Sequence, residues 1–173
     1  MKYRNMYRWL ILPLLFIMVV GLLFVGSACA TPTRVTISPT SQTVAPEQTF
    51  TVDVRVGPVL AIAGAQFNLS FDPSLVTAIS VDEGELFNQG GCATFFLPGT
   101  IDNDAGTITG AVCVITTPGC TVSNPGTLAT ITFVASETTG TSPLHLSNMV
   151  IGSKEGHALA KQVNDGSVTV SNP

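Results

Sequence analysis

The chain has 173 residues, of which 11 are acidic and 7 basic; charged side chains make up only 10% and hydrophobic ones 45%. All 11 acidic residues follow position 30, where only Arg34, Arg55, Lys154 and Lys161 are basic, so residues 31–173 carry 4 − 11 = −7. That balance excludes phosphate backbones and anionic lipid as partners, and with them a nucleic-acid-binding role.

Residues 1–30 have the layout of an export leader: Lys2, Arg4 and Arg8, an apolar run from Leu10 to Val25, then small residues up to Ala30. Three readings stay open. Ala28-Cys29-Ala30 suits cleavage that leaves Thr31 first, Gly26-Ser27-Ala28-Cys29 is an imperfect lipobox that would place a lipid on Cys29, and the apolar run approaches the roughly 20 residues of a membrane anchor. Each puts a domain of residues 31–173 outside the cytoplasm, touching membrane only through this segment. The leader also holds Trp9, Tyr3 and Tyr7, which leaves the rest of the chain with phenylalanine as its only large aromatic.

Beyond the leader the pattern is all-β. Arg34–Ile37 fits a short strand, and Pro39–Pro46 an extended connection. Thr51–Val56 alternates with Val52, Val54 and Val56 on one face. Gln66–Phe71 alternates with Phe67, Leu69 and Phe71 inward and Gln66, Asn68 and Ser70 outward. Asp72-Pro73-Ser74 is a turn, and Leu75–Val81 resumes a strand. Thr94–Ile101 and Thr107–Ile115 form a hairpin around Asp102–Gly106. Leu128–Ala135 turns Ala129, Ile131 and Phe133 inward and Thr130 and Thr132 outward. Pro143–Met149 and Ser167–Val170 complete nine strands, with no 3.6-residue period anywhere, which implies a nine-stranded antiparallel jelly-roll β-sandwich.

Three cysteines remain after Cys29. With the hairpin loop centred on Asp104, Cys92 lies opposite about Thr116, four residues before Cys120. A Cys92–Cys120 bridge would staple the hairpin's open end and leave Cys113 unpaired in its strand. The alternative is three unbridged thiols.

Catalytic and metal chemistry finds little footing. His145 sits between Leu144 and Leu146 on a strand and reads as a satisfied structural histidine. Asp82-Glu83-Gly84-Glu85 reads as a solvated turn. Asp102-Asn103-Asp104 lacks calcium-loop spacing, with Gly106 where a ligand should fall. No metal site is assigned, and the chain is read as a non-enzyme.

The stretch Ala63-Gly64-Ala65-Gln66-Phe67-Asn68-Leu69-Ser70-Phe71-Asp72-Pro73 resembles the cohesin domains of bacterial and archaeal surface proteins. So do Val44-Ala45-Pro46-Glu47-Gln48-Thr49-Phe50-Thr51-Val52 before it, Asn103–Ile108 and Gly126–Phe133 after it, and the closing Val163-Asn164-Asp165-Gly166-Ser167-Val168-Thr169-Val170. The resemblance implies a nine-stranded sandwich and a non-catalytic role: gripping a dockerin-containing protein, which carries its own calcium, within machinery that degrades polysaccharide. The chain itself needs no cofactor. The implied partner-binding face holds Gln66, Asn68 and Ser70, with Thr130 and Thr132 on the neighbouring strand and Thr109 and Ala111 on the hairpin strand beyond. The best-known cellulosomal members have asparagine and aspartate where this chain has Gly64 and Gln66, and basic residues in place of Thr130 and Thr132, so their charged hydrogen-bond set is missing here. Two other readings compete: a carbohydrate-binding module, which the missing Trp and Tyr disfavour, and a structural surface-adhesion domain.

Overall fold

A computed structural model of the chain describes residues 32–58 and 60–172. The leader, its cleavage or lipidation at Cys29 and the boundary at residue 30 lie outside the described residues.

The alternating segments become strands, with the expected phase except beyond Gly110. β1 (Thr33–Ser38), β3 (Thr49–Gly57), β4 (Gly64–Ser70), β5 (Val76–Glu83), β8 (Thr107–Ile115), β9 (Gly126–Ala135), β10 (Gly140–Gly152) and β12 (Gly166–Val170) carry most of their aliphatic and phenylalanine positions inward. The predicted strand 94–101 is broken at Pro98-Gly99 into β6 (Thr94–Leu97) and β7 (Thr100–Asp102). Two short strands join them: β2 (Ser41–Val44), inside the predicted extended connection, and β11 (Lys161–Asn164). These three additions turn nine expected strands into twelve.

Two sheets face each other. One runs β11-β1-β3-β9-β5; the other runs β2-β12-β10-β4-β8-β6, with β7 also paired to β8. Most pairs are antiparallel, but β1–β11 and β2–β12 are parallel. The reason is a double crossing. The chain passes from one sheet to the other between β1 and β2, and again between β11 and β12, and the two crossings run side by side: Ser167 N–H donates to Thr40 C=O at 2.9 Å. At the second crossing, the Asp165 carboxylate accepts from Leu146 N–H at 2.9 Å and meets His145 Nδ1 at 2.6 Å. His145 is thus the satisfied strand histidine that its neighbours suggest, with its ring on the surface.

Between the sheets lies one apolar layer. Phe133 of β9 stacks on Phe50 of β3 with ring centroids 5.6 Å apart and meets Phe71, just past β4, edge-on at 5.3 Å. Phe67, Leu69, Ile108, Ile131, Leu144 and Ile151 are fully buried around them.

The acidic segment after β5 is not a free turn. Asp82 and Glu83 end β5, and the Glu85 carboxylate accepts from Thr127 N–H at 2.9 Å. Burial alone would raise the Glu85 pKa, but that hydrogen bond and the Arg55 charge outweigh it and hold the carboxyl below its usual range. In the β7–β8 loop, Asp102 Oδ1 accepts from the backbone N–H groups of Asp104 and Ala105. Asn103 pairs its side-chain amide with both backbone groups of Ala78 on β5. Among the described residues there is no cluster of three or more metal-ligating side chains.

Candidate protein-docking face

Gln66, Asn68 and Ser70 leave the core on the outer surface of β4, while Ala65, Phe67 and Leu69 between them are buried. The neighbours of β4 are β10 and β8. Thr130 and Thr132 are elsewhere. β9 lies in the other sheet, between β3 and β5, so both threonines face away from β4 across the whole sandwich. Alternation tells which side chains leave the core, but a sandwich has two outer surfaces, and β4 and β9 share one pattern.

Ala111 needs a second correction. Strict alternation along β8 turns Thr109 and Ala111 out together, yet Ala111 is fully buried while Thr109 is exposed. A β-bulge lies between them: Phe67 pairs with Ala111 but Leu69 pairs with Ile108. Gly110 takes the extra position at φ 72°, a left-handed conformation that side chains resist. Asn68 Oδ1 accepts its N–H at 2.8 Å. Asn68 is therefore committed to the bulge, and beyond Gly110 the outward residues become Val112 and Val114. Gln66 donates to Asn148 C=O at 3.5 Å, beside a second irregularity in β10 where Asn148 has φ 47°.

The strand registers line up two rungs across this face. One runs Leu97–Val112–Gln66–Val150, the other Phe95–Val114–Gly64–Gly152. Phe95 is 57% exposed, Leu97 48% and Val150 38%. The partner ring Phe96 turns to the core side with Cys113. Apolar side chains thus cover one end of the face around Gln66. The other end is polar, with Thr100, Thr109, Asn68, Ser147, Ser70, Thr107 and His145. Sequence reasoning missed Val112 and Val114, although Ala111–Ile115 is apolar at every position. Such a run marks a strand with both faces apolar.

Cys92 and Cys120 form a disulfide with Cα atoms 6.2 Å apart, beside the start of β6. Cys113 is a buried free thiol. Burial, together with the Glu83 carboxylate at 3.4 Å from its sulfur, pushes its pKa up to about 12.

The sequence profile of the cohesin domain matches residues 35–170. The chain belongs to the cohesin domain family. Among curated proteins none matches it by sequence. Solved structures share its fold at low identity. The sixth cohesin of Acetivibrio cellulolyticus scaffoldin B, in complex with a Cel5 dockerin mutant, has a TM-score of 0.66 at 17% identity, covering 82% of this chain and 100% of that one. A type I cohesin–dockerin complex from Clostridium thermocellum gives 0.65 at 16%, covering 82% and 100%. A non-cellulosomal cohesin from the archaeon Archaeoglobus fulgidus gives 0.61 at 15%, covering 82% and 93%. Cohesin domains are protein-interaction modules, and in the first two of these structures the cohesin binds a dockerin.

Proposed function

We propose that this cohesin domain is a non-catalytic, extracytoplasmic docking module that captures a dockerin-containing protein through the outer face of β10-β4-β8-β6. The observation that carries the proposal is the apolar end of that face. Exposed Phe95, Leu97 and Val150 flank half-buried Val112 and Val114; isolated exposed hydrophobic residues are commonplace, but a contiguous group calls for a partner. Gln66 lies inside this group, and Asn68, Ser70 and Thr109 border it. The leader-like residues 1–30 and the disulfide support a location outside the cytoplasm. Calcium would belong to the partner, and the dockerin class of partner suggests a link to polysaccharide degradation. A sugar platform is less well supported, since one phenylalanine stands where such sites present Trp or Tyr.

The test is capture of calcium-loaded dockerins encoded in the same genome, with and without chelator. Val112→Arg should cost about 2 kcal/mol or more, a loss of about 30-fold. Thr132→Arg, on the opposite face, should leave capture unchanged. Equal losses from both variants, or capture by no dockerin, would refute the reading.

A further inference from the structure

The apolar end of the docking face contains a notch. Gly64 of β4 pairs with Gly152 of β10 on one side and with Val114 of β8 on the other. Two adjacent strands therefore present no side chain at the same level, and the surface sinks between them. The depression has a volume of about 300 Å³. Gln66, Val112, Val114 and Val150 form its walls, and Ser153 and Lys154 lie on its rim. For scale, an apolar cavity of roughly 150 Å³ holds a benzene molecule. The rim is ordered by its own backbone: Ser153 N–H donates to His157 C=O at 2.9 Å and Gly156 N–H to Ser153 C=O at 3.0 Å.

We infer that this notch is the specificity pocket of the docking face, and that it takes one branched aliphatic side chain from an uncharged part of the partner protein's surface. The inference rests on the docking reading above and adds the chemistry of the partner. Its argument is one of charge and shape. None of the chain's acidic residues lines the notch. Its one ionisable group, the Lys154 amine, stands on the rim 3.8 Å from the Glu155 carboxylate. A guanidinium or ammonium group placed between Val112, Val114 and Val150 would lose its water and find no counter-charge, and a carboxylate would meet only a rim amine that already has a partner. An aliphatic group loses nothing on leaving water and meets carbon on most sides. Burying one Val, Leu or Ile side chain supports roughly a 10- to 100-fold gain in affinity. Asp53 and Asp82 lie on the opposite sheet; on this side Glu155 stands beside Lys154 at the rim, Asp102 ends β7 and Asp165 is taken up by His145, so no carboxylate lines the notch itself.

Gly152 allows a direct test. A Cβ built there meets nothing nearer than Gly64 O at 3.7 Å, an ordinary contact, and its backbone is extended enough for any residue. Gly152→Val therefore fills the notch while keeping the sheet, and Gly152→Ala is a smaller filling that holds should the larger one disturb folding. Cooperative melting is checked for both. Against a captured dockerin, Gly152→Val should weaken binding about 10-fold or more, and the loss should persist in high salt, because no ion pair is involved. Unchanged affinity in folded Gly152→Val and Gly152→Ala overturns the pocket and leaves the docking face standing. If no dockerin is captured, the docking reading fails, and N-acetyl-leucinamide decides the notch by amide-resolved NMR. Saturable shifts at Gly64, Val114 and Gly152 that vanish in Gly152→Val support the notch. Absent shifts, or equal shifts with N-acetyl-aspartamide, overturn it.

Discussion

The two outer faces of this sandwich are built from the same kind of strand and end up chemically opposite. On β11-β1-β3-β9-β5 the outward residues are mostly polar, with Ile79 of β5 the exposed aliphatic exception, and some answer one another: Thr130 donates to Asp53 at 2.7 Å, and Ser80 to Asp82 at 2.8 Å. On β10-β4-β8-β6 the outward residues include Phe95, Leu97, Val112, Val114 and Val150, and only the far end is polar. A face whose hydroxyls and carboxylates are mutually paired gains little by losing water. A face of exposed aliphatic carbon gains about 25 cal/mol for each Å² covered. The difference between the faces therefore lies in what remains unanswered on the surface, above a core that both share.

The largest way to break the comparison is to loosen one face. The Cys92–Cys120 bridge spans 28 residues of sequence and sits at the β6 edge of the apolar face. Replacing both cysteines with alanine should cost about 3.5 kcal/mol in the chain-entropy account, read as a lower Tm and denaturation midpoint. Amide exchange should rise most along β6 and its partner stretch of β8, by more than the global loss that β3 and β9 share. A uniform rise across both sheets would mean that the faces are not independently supported.

A smaller test probes the seam between the sheets. Cys113 belongs to β8, under the apolar face, and its sulfur lies 3.4 Å from Glu83 at the end of β5 in the other sheet. Its folded pKa is raised from the ordinary 9.0 to about 12. The thiol is neutral in both states below pH 9, so its contribution is complete there. Between pH 9.0 and about 12 the unfolded chain ionises and the folded one does not, so stability falls with rising pH. Tyr3 and Tyr7 both lie in residues 1–30, so residues 31–173 add no phenol to that window. Cys113→Ala should flatten the alkaline limb of a Tm-against-pH curve. An unchanged limb would place the pH sensitivity elsewhere.

Much of the fold is legible from side-chain alternation. Phe67, Leu69, Ile131 and Phe133 turn inward where period two puts them. Which sheet a strand joins is not encoded in alternation, because β4 and β9 bear the same hydrophobic-in, polar-out signature and differ only in long-range partners. Thr130 and Thr132 were thus assignable to a surface but not to the correct one. Ala111 fails for a local reason: one bulge residue, Gly110, reverses the phase of everything after it, and a glycine within a strand run is the visible warning. The notch depends on two glycines 88 residues apart becoming cross-strand partners, a coincidence of register that no local pattern carries.

The smallest prediction sets one outward residue of each face against the other. Asn68 and Thr130 are both partly exposed, and each side chain makes one hydrogen bond: Asn68 accepts from the Gly110 N–H, and Thr130 donates to the Asp53 carboxylate. Asn68→Ala removes the acceptor that fixes the bulge and should cost about 1 kcal/mol. Its second effect matters more. With the bulge freed, β8 can slip by one residue, which exchanges Val112 and Val114 for their inward neighbours Ala111 and Cys113 on the docking face. Thr130→Ala removes a half-buried bond to a carboxylate, so its cost should be at least as large, but with no change in register. Cross-strand amide contacts by NMR distinguish the two cases: altered pairing between β4 and β8 in Asn68→Ala, and unaltered pairing between β3 and β9 in Thr130→Ala. If Asn68→Ala keeps both its stability and the Phe67–Ala111 pairing, glycine alone holds the bulge, and the amide of Asn68 is free to serve the partner.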